Sequence, residues 1–132
     1  MNETGTTATR KKFTVAARLK SFSYAMQGIG FVLRTQHNAW LHLLATLGVI
    51  MLALFLGFTP DDWRWLVVAM AIVWFAETIN TAMEYLCDVV SPHYAEAVKR
   101  AKDIAAGAVL ISAVAALVVG VLTFLPYLKQ VS

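Results

Sequence analysis

The stretch WRWLVVAMAIVWFAETINTAMEYLCD, residues 63–88, carries the fold and the chemistry together. Its first half is apolar apart from Arg64, and from Glu77 onward acids and amides enter without breaking the run. A membrane-spanning helix needs roughly 20 mostly apolar residues, and this stretch supplies them. Glu77, Asn80, Thr81, Glu84 and Asp88 stand at i, i+3, i+4, i+7 and i+11. At roughly 100° per residue they fall in one stripe about 100° wide, with Ile79, Met83 and Leu86 on the opposite face. At a rise of about 1.5 Å per residue, Glu77 lies about 10 Å along the axis from Glu84 and about 16 Å from Asp88. A carboxylate in hydrocarbon costs at least ~2.5 kcal/mol on insertion scales, so two of them in one span need a reason. Asn80 and Thr81 alone could join helices by hydrogen bonds. Joining helices needs no negative charge. The two glutamates either share protons, hold a cation, or meet a cation that arrives with a substrate.

Working outward, the composition agrees with a membrane protein. Hydrophobic residues make up 59% of the 132 and charged residues 14%, against roughly 25% charged in soluble domains. That argues against a soluble globular enzyme, a disordered chain and a nucleic-acid-binding domain. One cysteine, Cys87, leaves no intrachain disulfide framework and no cysteine-based zinc site. Two further stretches are long and apolar enough to span, at about 40–58 and 104–128, and neither contains a formal charge. The expected fold class is all-α integral membrane, with spans at about 40–58, 63–87 and 104–128. Neither a secretory signal peptide nor a lipidation signature is expected. Gly57 should end the first span. Thr59 should cap the next helix, with Pro60 at its first position and Asp61 and Asp62 at its positive end. The second loop reads as Asp88 to Asp103, with a short helix starting at Ser91-Pro92 and Asp103 as a possible N-cap of the third span.

Residues 1–12 read as a disordered polar and basic tail, 13–128 as a single domain and 129–132 as a short tail. Within the domain, 13–34 forms a helix ahead of the spans. Val15, Leu19, Phe22, Met26, Ile29 and Leu33 recur in alternating steps of four and three, which marks one face of an amphipathic helix. Its basic polar positions suit the surface of a bilayer, and packing on a soluble partner is the competing reading. Arg10, Lys11, Lys12, Arg18, Lys20 and Arg34 precede the first span, and Lys99, Arg100 and Lys102 lie in the second loop. Arg64 and Lys129 fall on the other side, so nine against two puts the N-terminus and second loop in the cytoplasm and the C-terminus outward.

Ala108, Ser112, Ala116 and Gly120 repeat every fourth residue on the third span and provide a surface for close helix approach. Three helices enclose the polar stripe poorly, which favours a homo-oligomer. No Walker A sequence is present, and Gly28-Ile29-Gly30 is too short for a phosphate loop.

The element Glu77-Thr78-Ile79-Asn80-Thr81-Ala82-Met83-Glu84, followed by Asp88, closely resembles the signature of prokaryotic diacylglycerol kinases, a family that includes undecaprenol kinases. Ala101-Lys102-Asp103, Ala106-Gly107-Ala108-Val109-Leu110, the positions Phe22, Tyr24, Ala25 and Gly28, and the run Arg34 to His42 fit the same family. The resemblance covers about residues 20–125. It implies a homotrimer of three-span subunits with surface helices in the bacterial inner membrane. Glu77 would be the catalytic base. Glu84 would bind Mg²⁺ and meet the ATP phosphates. Lys102 and Asp103 would bind nucleotide, as would Tyr24, and His93 and Tyr94 fall in the loop that contacts the ribose. Asn80 would stand beside the phosphates or the base. Asn38 and Trp40 would lie where the lipid headgroup enters. Two departures stand out: Gln36 replaces a second metal-binding glutamate, and the loop reads His93-Tyr94-Ala95 where Glu-Tyr-His is common. Gln36 keeps an oxygen for the metal but brings no charge.

The expected reaction transfers a phosphoryl group from Mg²⁺-ATP to the hydroxyl of a membrane lipid alcohol at the cytoplasmic face. The partners are therefore ATP, the lipid and the bilayer, without nucleic acid. The competing readings are a small oligomeric ion or proton conductor, which leaves Lys102-Asp103 and the first helix unexplained, and a noncatalytic accessory subunit, which gives the glutamates no role.

Overall fold

The structure, a computed structural model, describes residues 14–131. Within them the chain is all helical, with four helices: α1 (Val15–Thr35), α2 (His37–Leu56), α3 (Pro60–Val90) and α4 (Glu96–Val131). The expected tail at 1–12, the basic residues Arg10, Lys11 and Lys12, and the start of the first helix at Phe13 lie outside the described residues. Helices α2, α3 and α4 are each long and apolar enough to cross a membrane.

The helix ends follow from local chemistry. Thr14 caps α1, accepting from the Ala17 N–H. A single extended residue, Gln36, separates α1 from α2. Gly57 ends α2 in the left-handed region at φ 68°, ψ 47°, where a side chain would be strained. Thr59 then closes a capping box with Asp62, ahead of Pro60 in the first turn of α3. The Asp62 carboxylate also accepts from the Tyr127 hydroxyl at 2.5 Å, and the Thr59 N–H donates to the same hydroxyl oxygen at 3.3 Å. The end of α4 is thus tied to the start of α3. Phe58 stacks on Tyr127 and packs at a tilt against Phe124 there, with ring centroids 4.5 Å apart in each pair.

Helix α3 is the central element and packs against the other three. Its buried face runs through Leu66, Ala69, Val73, Glu77, Asn80, Thr81 and Cys87. The deeper part of the polar stripe, Glu77, Asn80 and Thr81, therefore continues the apolar packing seam and faces into the protein, whereas Glu84 is half-buried and Asp88 is exposed. Ala116 and Gly120 line the groove that α4 forms with α2 and α3, and Ala108 and Ser112 line a second one beside Asn80.

The second connection departs from the sequence reading. Helix α3 continues to Val90 and α4 begins at Glu96, so the loop is residues 91–95. No separate helix starts at Ser91-Pro92, and Asp103 is an interior residue of α4, not its N-cap. The charged run 96–103 is stable as helix because its charges pair one turn apart: Arg100 with Glu96 at 3.2 Å and Lys99 with Asp103 at 2.7 Å. At the other end, α4 runs to Val131, so most of the expected 129–132 tail is helical.

Candidate functional site

The three acids of the α3 stripe each meet a side chain from elsewhere in the chain, at three successive levels. Deepest is Glu77, 1% exposed, with the His42 imidazole of α2 across from it. His42 Nε2 lies 3.7 Å from Glu77 Oε2, within ion-pair distance but long for a hydrogen bond. Both carboxylate oxygens of Glu77 are buried without a hydrogen-bond partner among the described residues. An unpartnered buried carboxylate is costly and uncommon in structures where it has no function. The adjacent Thr81 hydroxyl instead donates to the Glu77 backbone carbonyl at 2.9 Å.

About two helical turns along α3, Glu84 is held between two amides. The Asn80 side chain donates to one oxygen at 3.1 Å, and the Gln36 side chain donates to the other at 3.4 Å. Gln36 reaches Glu84 because the α1–α2 junction sits against α3, where Phe31 packs edge-on to Tyr85 with centroids 4.9 Å apart. The donor set here is one carboxylate and amide oxygens, including an Asn80 Oδ1 that is buried and unpartnered. Such hard, mostly neutral oxygens suit a Mg²⁺ ion that keeps water and shares its shell with phosphate. Among the described residues no three His, Cys, Asp or Glu side chains gather to hold a metal by themselves.

At the third level, Asp88 accepts from Lys102 Nζ at 2.5 Å, joining α3 to α4. Beyond it, the loop carries His93 and Tyr94, both exposed. The Ser91 hydroxyl donates to the His93 carbonyl at 3.0 Å, and the Tyr94 hydroxyl donates to Glu96 at 2.7 Å. That bond to a carboxylate pushes the Tyr94 phenol above its ordinary pKa and keeps it a donor.

The structure thus brings together Glu77, Asn80, Glu84 and Gln36, with Lys102 at the rim. Other expected site residues stand apart. Asp103 turns to Lys99 on its own helix and is 62% exposed. Tyr24 lies exposed on α1, with the Lys20 ammonium 5.8 Å from its ring centroid. It is about 18 Å along the helix from Gln36. Asn38 and Trp40 are exposed on the first turns of α2, on either side of the buried Ala39.

His42 was not singled out from the sequence as a site residue. Its signal was there: a histidine within the first apolar run, two residues after Trp40. It also ends a groove of about 490 Å³ between α2, α3 and α4, whose walls are otherwise apolar side chains such as Val49, Met70, Ala116 and Phe124, with Thr46.

Residues 23–124 match the prokaryotic diacylglycerol kinase family. A diacylglycerol kinase of Synechocystis sp. is 39% identical over 109 residues, which is 82% of this chain and 62% of that protein. The undecaprenol kinase of Bacillus subtilis is 33% identical over 109 residues, 83% of this chain and 89% of that protein. The chain therefore spans less than two thirds of the first relative and most of the second.

Proposed function

The chain belongs to the prokaryotic diacylglycerol kinase family, and from that premise we propose that it phosphorylates the hydroxyl of a membrane lipid alcohol with ATP. The observation that carries the reading is the buried Glu77 carboxylate, unpartnered and one layer deeper than the Glu84 cluster. A base set deep and an anion-handling layer set shallow match a reaction between a lipid and a nucleotide.

In this mechanism the lipid hydroxyl reaches Glu77 from the bilayer interface. Its oxygen bonds to the γ-phosphorus of ATP as the bond from that phosphorus to the bridging oxygen breaks. The hydroxyl proton passes to Glu77, and ADP and the lipid phosphate leave. Phosphoryl transfer asks the protein mainly for positioning and charge neutralisation. Lys102 supplies a positive charge to the phosphates, exchanging its bond to Asp88 for them. Asn80 and Gln36 hold the Glu84 carboxylate in place. Glu84 and Gln36 would hold Mg²⁺, which neutralises phosphate charge when bound.

The same reading assigns the wider setting. Helix α1 lies in the membrane surface, where its exposed Leu19, Phe22 and Ile29 meet lipid. The three long helices cross the bacterial inner membrane with the N-terminus and the loop 91–95 in the cytoplasm. Three copies assemble and enclose the stripe. The resemblance extends the nucleotide site to Tyr24, His93, Tyr94 and Asp103 and the lipid headgroup site to Asn38 and Trp40, although within one chain Tyr24, Asp103, Asn38 and Trp40 stand apart from the Glu84 cluster.

The lipid is of the diacylglycerol or undecaprenol class. Purified protein in detergent micelles, given ATP, Mg²⁺ and each lipid in turn, tests the reading. Phosphate appearing on at least one lipid supports it, and the ratio of kcat/KM names the substrate. Absence of lipid phosphate from both contradicts it.

A further inference from the structure

Glu77 needs a fixed orientation to take a proton from a hydroxyl, yet its own helix gives its carboxylate no hydrogen bond. The remaining source of orientation is α2. His42 Nε2 stands 3.7 Å from Glu77 Oε2, and α4 carries no formal charge between Ile104 and Leu128 that could compete for it. The next acid along the stripe, the half-buried Glu84, is already held by Gln36 and Asn80.

The imidazole is itself held. Its ring meets the Trp74 ring edge-on, with centroids 6.5 Å apart and planes at 66°. Trp74 Nε1–H donates to the Thr46 hydroxyl at 3.1 Å. Thr46 is one turn from His42 on α2, and Trp74 is one turn from Glu77 on α3. The four side chains make a ladder that fixes both helices around the carboxylate. His42 also forms part of the groove wall, and its side chain is 20% exposed. It therefore stands where an apolar chain lying in the groove would bring its polar end to Glu77. Hydrogen bonds of catalytic groups are commonly long before substrate arrives and tighten afterwards.

We infer that His42 is a positioning residue for Glu77, its Nε2–H holding the carboxylate in the orientation that receives the proton of the lipid hydroxyl. This rests on the kinase reading for the identity of the hydroxyl, and on the structure for the pair. An amide at position 42 keeps a donor at similar reach but loses the ring. A phenyl keeps the ring against Trp74 but loses the donor.

His42→Phe should lower kcat about 10- to 100-fold, the scale of loss when a partner that orients a metal ligand is removed, applied here to a partner that orients a base. Its KM for ATP should stay within about twofold, because His42 faces Glu77 whereas the side chains assigned to hold the nucleotide, Glu84, Gln36 and Lys102, pair with other partners. His42→Gln should retain several-fold more kcat than His42→Phe. Phenylalanine matching or exceeding glutamine would reduce His42 to a packing residue and overturn the inference, as would a loss confined to the ATP KM. A second measurement needs no turnover. With ¹⁵N-labelled histidine in micelles, Glu77→Gln should shift the His42 imidazole nitrogens and leave those of His37 and His93 in place. Unchanged His42 nitrogens would overturn the pairing. Wild-type protein that phosphorylates neither lipid contradicts the kinase reading instead, and the nitrogen shifts then decide the pair alone.

Discussion

One of the two departures from the family resemblance is an amide, Gln36, where a second metal-binding carboxylate is implied. Gln36 donates to Glu84 at 3.4 Å, so the substitution lies beside the proposed metal ligand and not on a remote surface. With one carboxylate, Glu84, in the proposed metal shell, the free protein should hold Mg²⁺ weakly and receive it largely with ATP. Gln36→Glu places two carboxylates together, which disfavours both being charged until a cation joins them. It should therefore lower the Mg²⁺ concentration for half-maximal activity at saturating ATP. An unchanged or higher requirement would put residue 36 outside the metal shell. At the rim, Lys102→Ala removes a charge offered to phosphate and leaves Asp88 unpaired, so the KM for ATP should rise. A rise confined to the lipid KM would contradict the assignment. Glu77, Asn80 and Glu84 were legible in the sequence because they share a helix face by spacing alone, whereas the roles of Gln36 and Lys102 came only with the family resemblance. His42 was not, because one histidine in an apolar helix has no periodic partner, and its partner lies 35 positions away on another helix. Asp103 misled for the opposite reason. Its position before an apolar run resembles a cap, but a lysine four residues earlier satisfies it within the helix.

Among the elements, helix ends with a specific chemical device were readable and ends without one were not. Gly57 and the Thr59–Asp62 box stand where the residue types require them. The start of α4 is harder, because charged residues 96–103 suit a solvated loop and a solvated first two turns of helix equally well, and only the i,i+4 pairs decide. The capping box also anchors Tyr127, so the start of α3 and the end of α4 are one unit. Thr59→Ala should cost about 1 kcal/mol, as loss of an N-cap does. Chemical unfolding in micelles should show a lower midpoint, with turnover per folded molecule little changed because even the nearest active residue, Glu77, stands about 27 Å along α3 from Thr59. A drop in turnover at unchanged stability would mean that this end of the bundle communicates with the site.

For the whole molecule, three long apolar helices and their order were fixed by hydropathy, whereas their mutual packing was not, since apolar faces look alike to a lipid and to a neighbouring helix. In one chain many large apolar side chains on α2 and α4 are exposed, as are those on α1. Bilayer and further copies of the chain are the proposed cover. The charge count predicts the topology: with Cys87 replaced by serine, Tyr94→Cys should label only from the cytoplasmic side and Asp61→Cys only from the outside. The reverse pattern would invert the site. Its nucleotide layer would then face away from cytoplasmic ATP. Everything in the account depends on Glu77 accepting a proton from a lipid hydroxyl. The most direct measurement is transfer of labelled γ-phosphate from ATP to lipid by purified wild-type protein and by Glu77→Gln, with nucleotide binding measured on both. The amide keeps the volume and cannot take the proton. If Glu77 is the base, labelled lipid forms with the wild type, the variant loses about 10²–10⁴-fold, and nucleotide binding is similar in both. A variant that keeps more than half of the wild-type rate would contradict it.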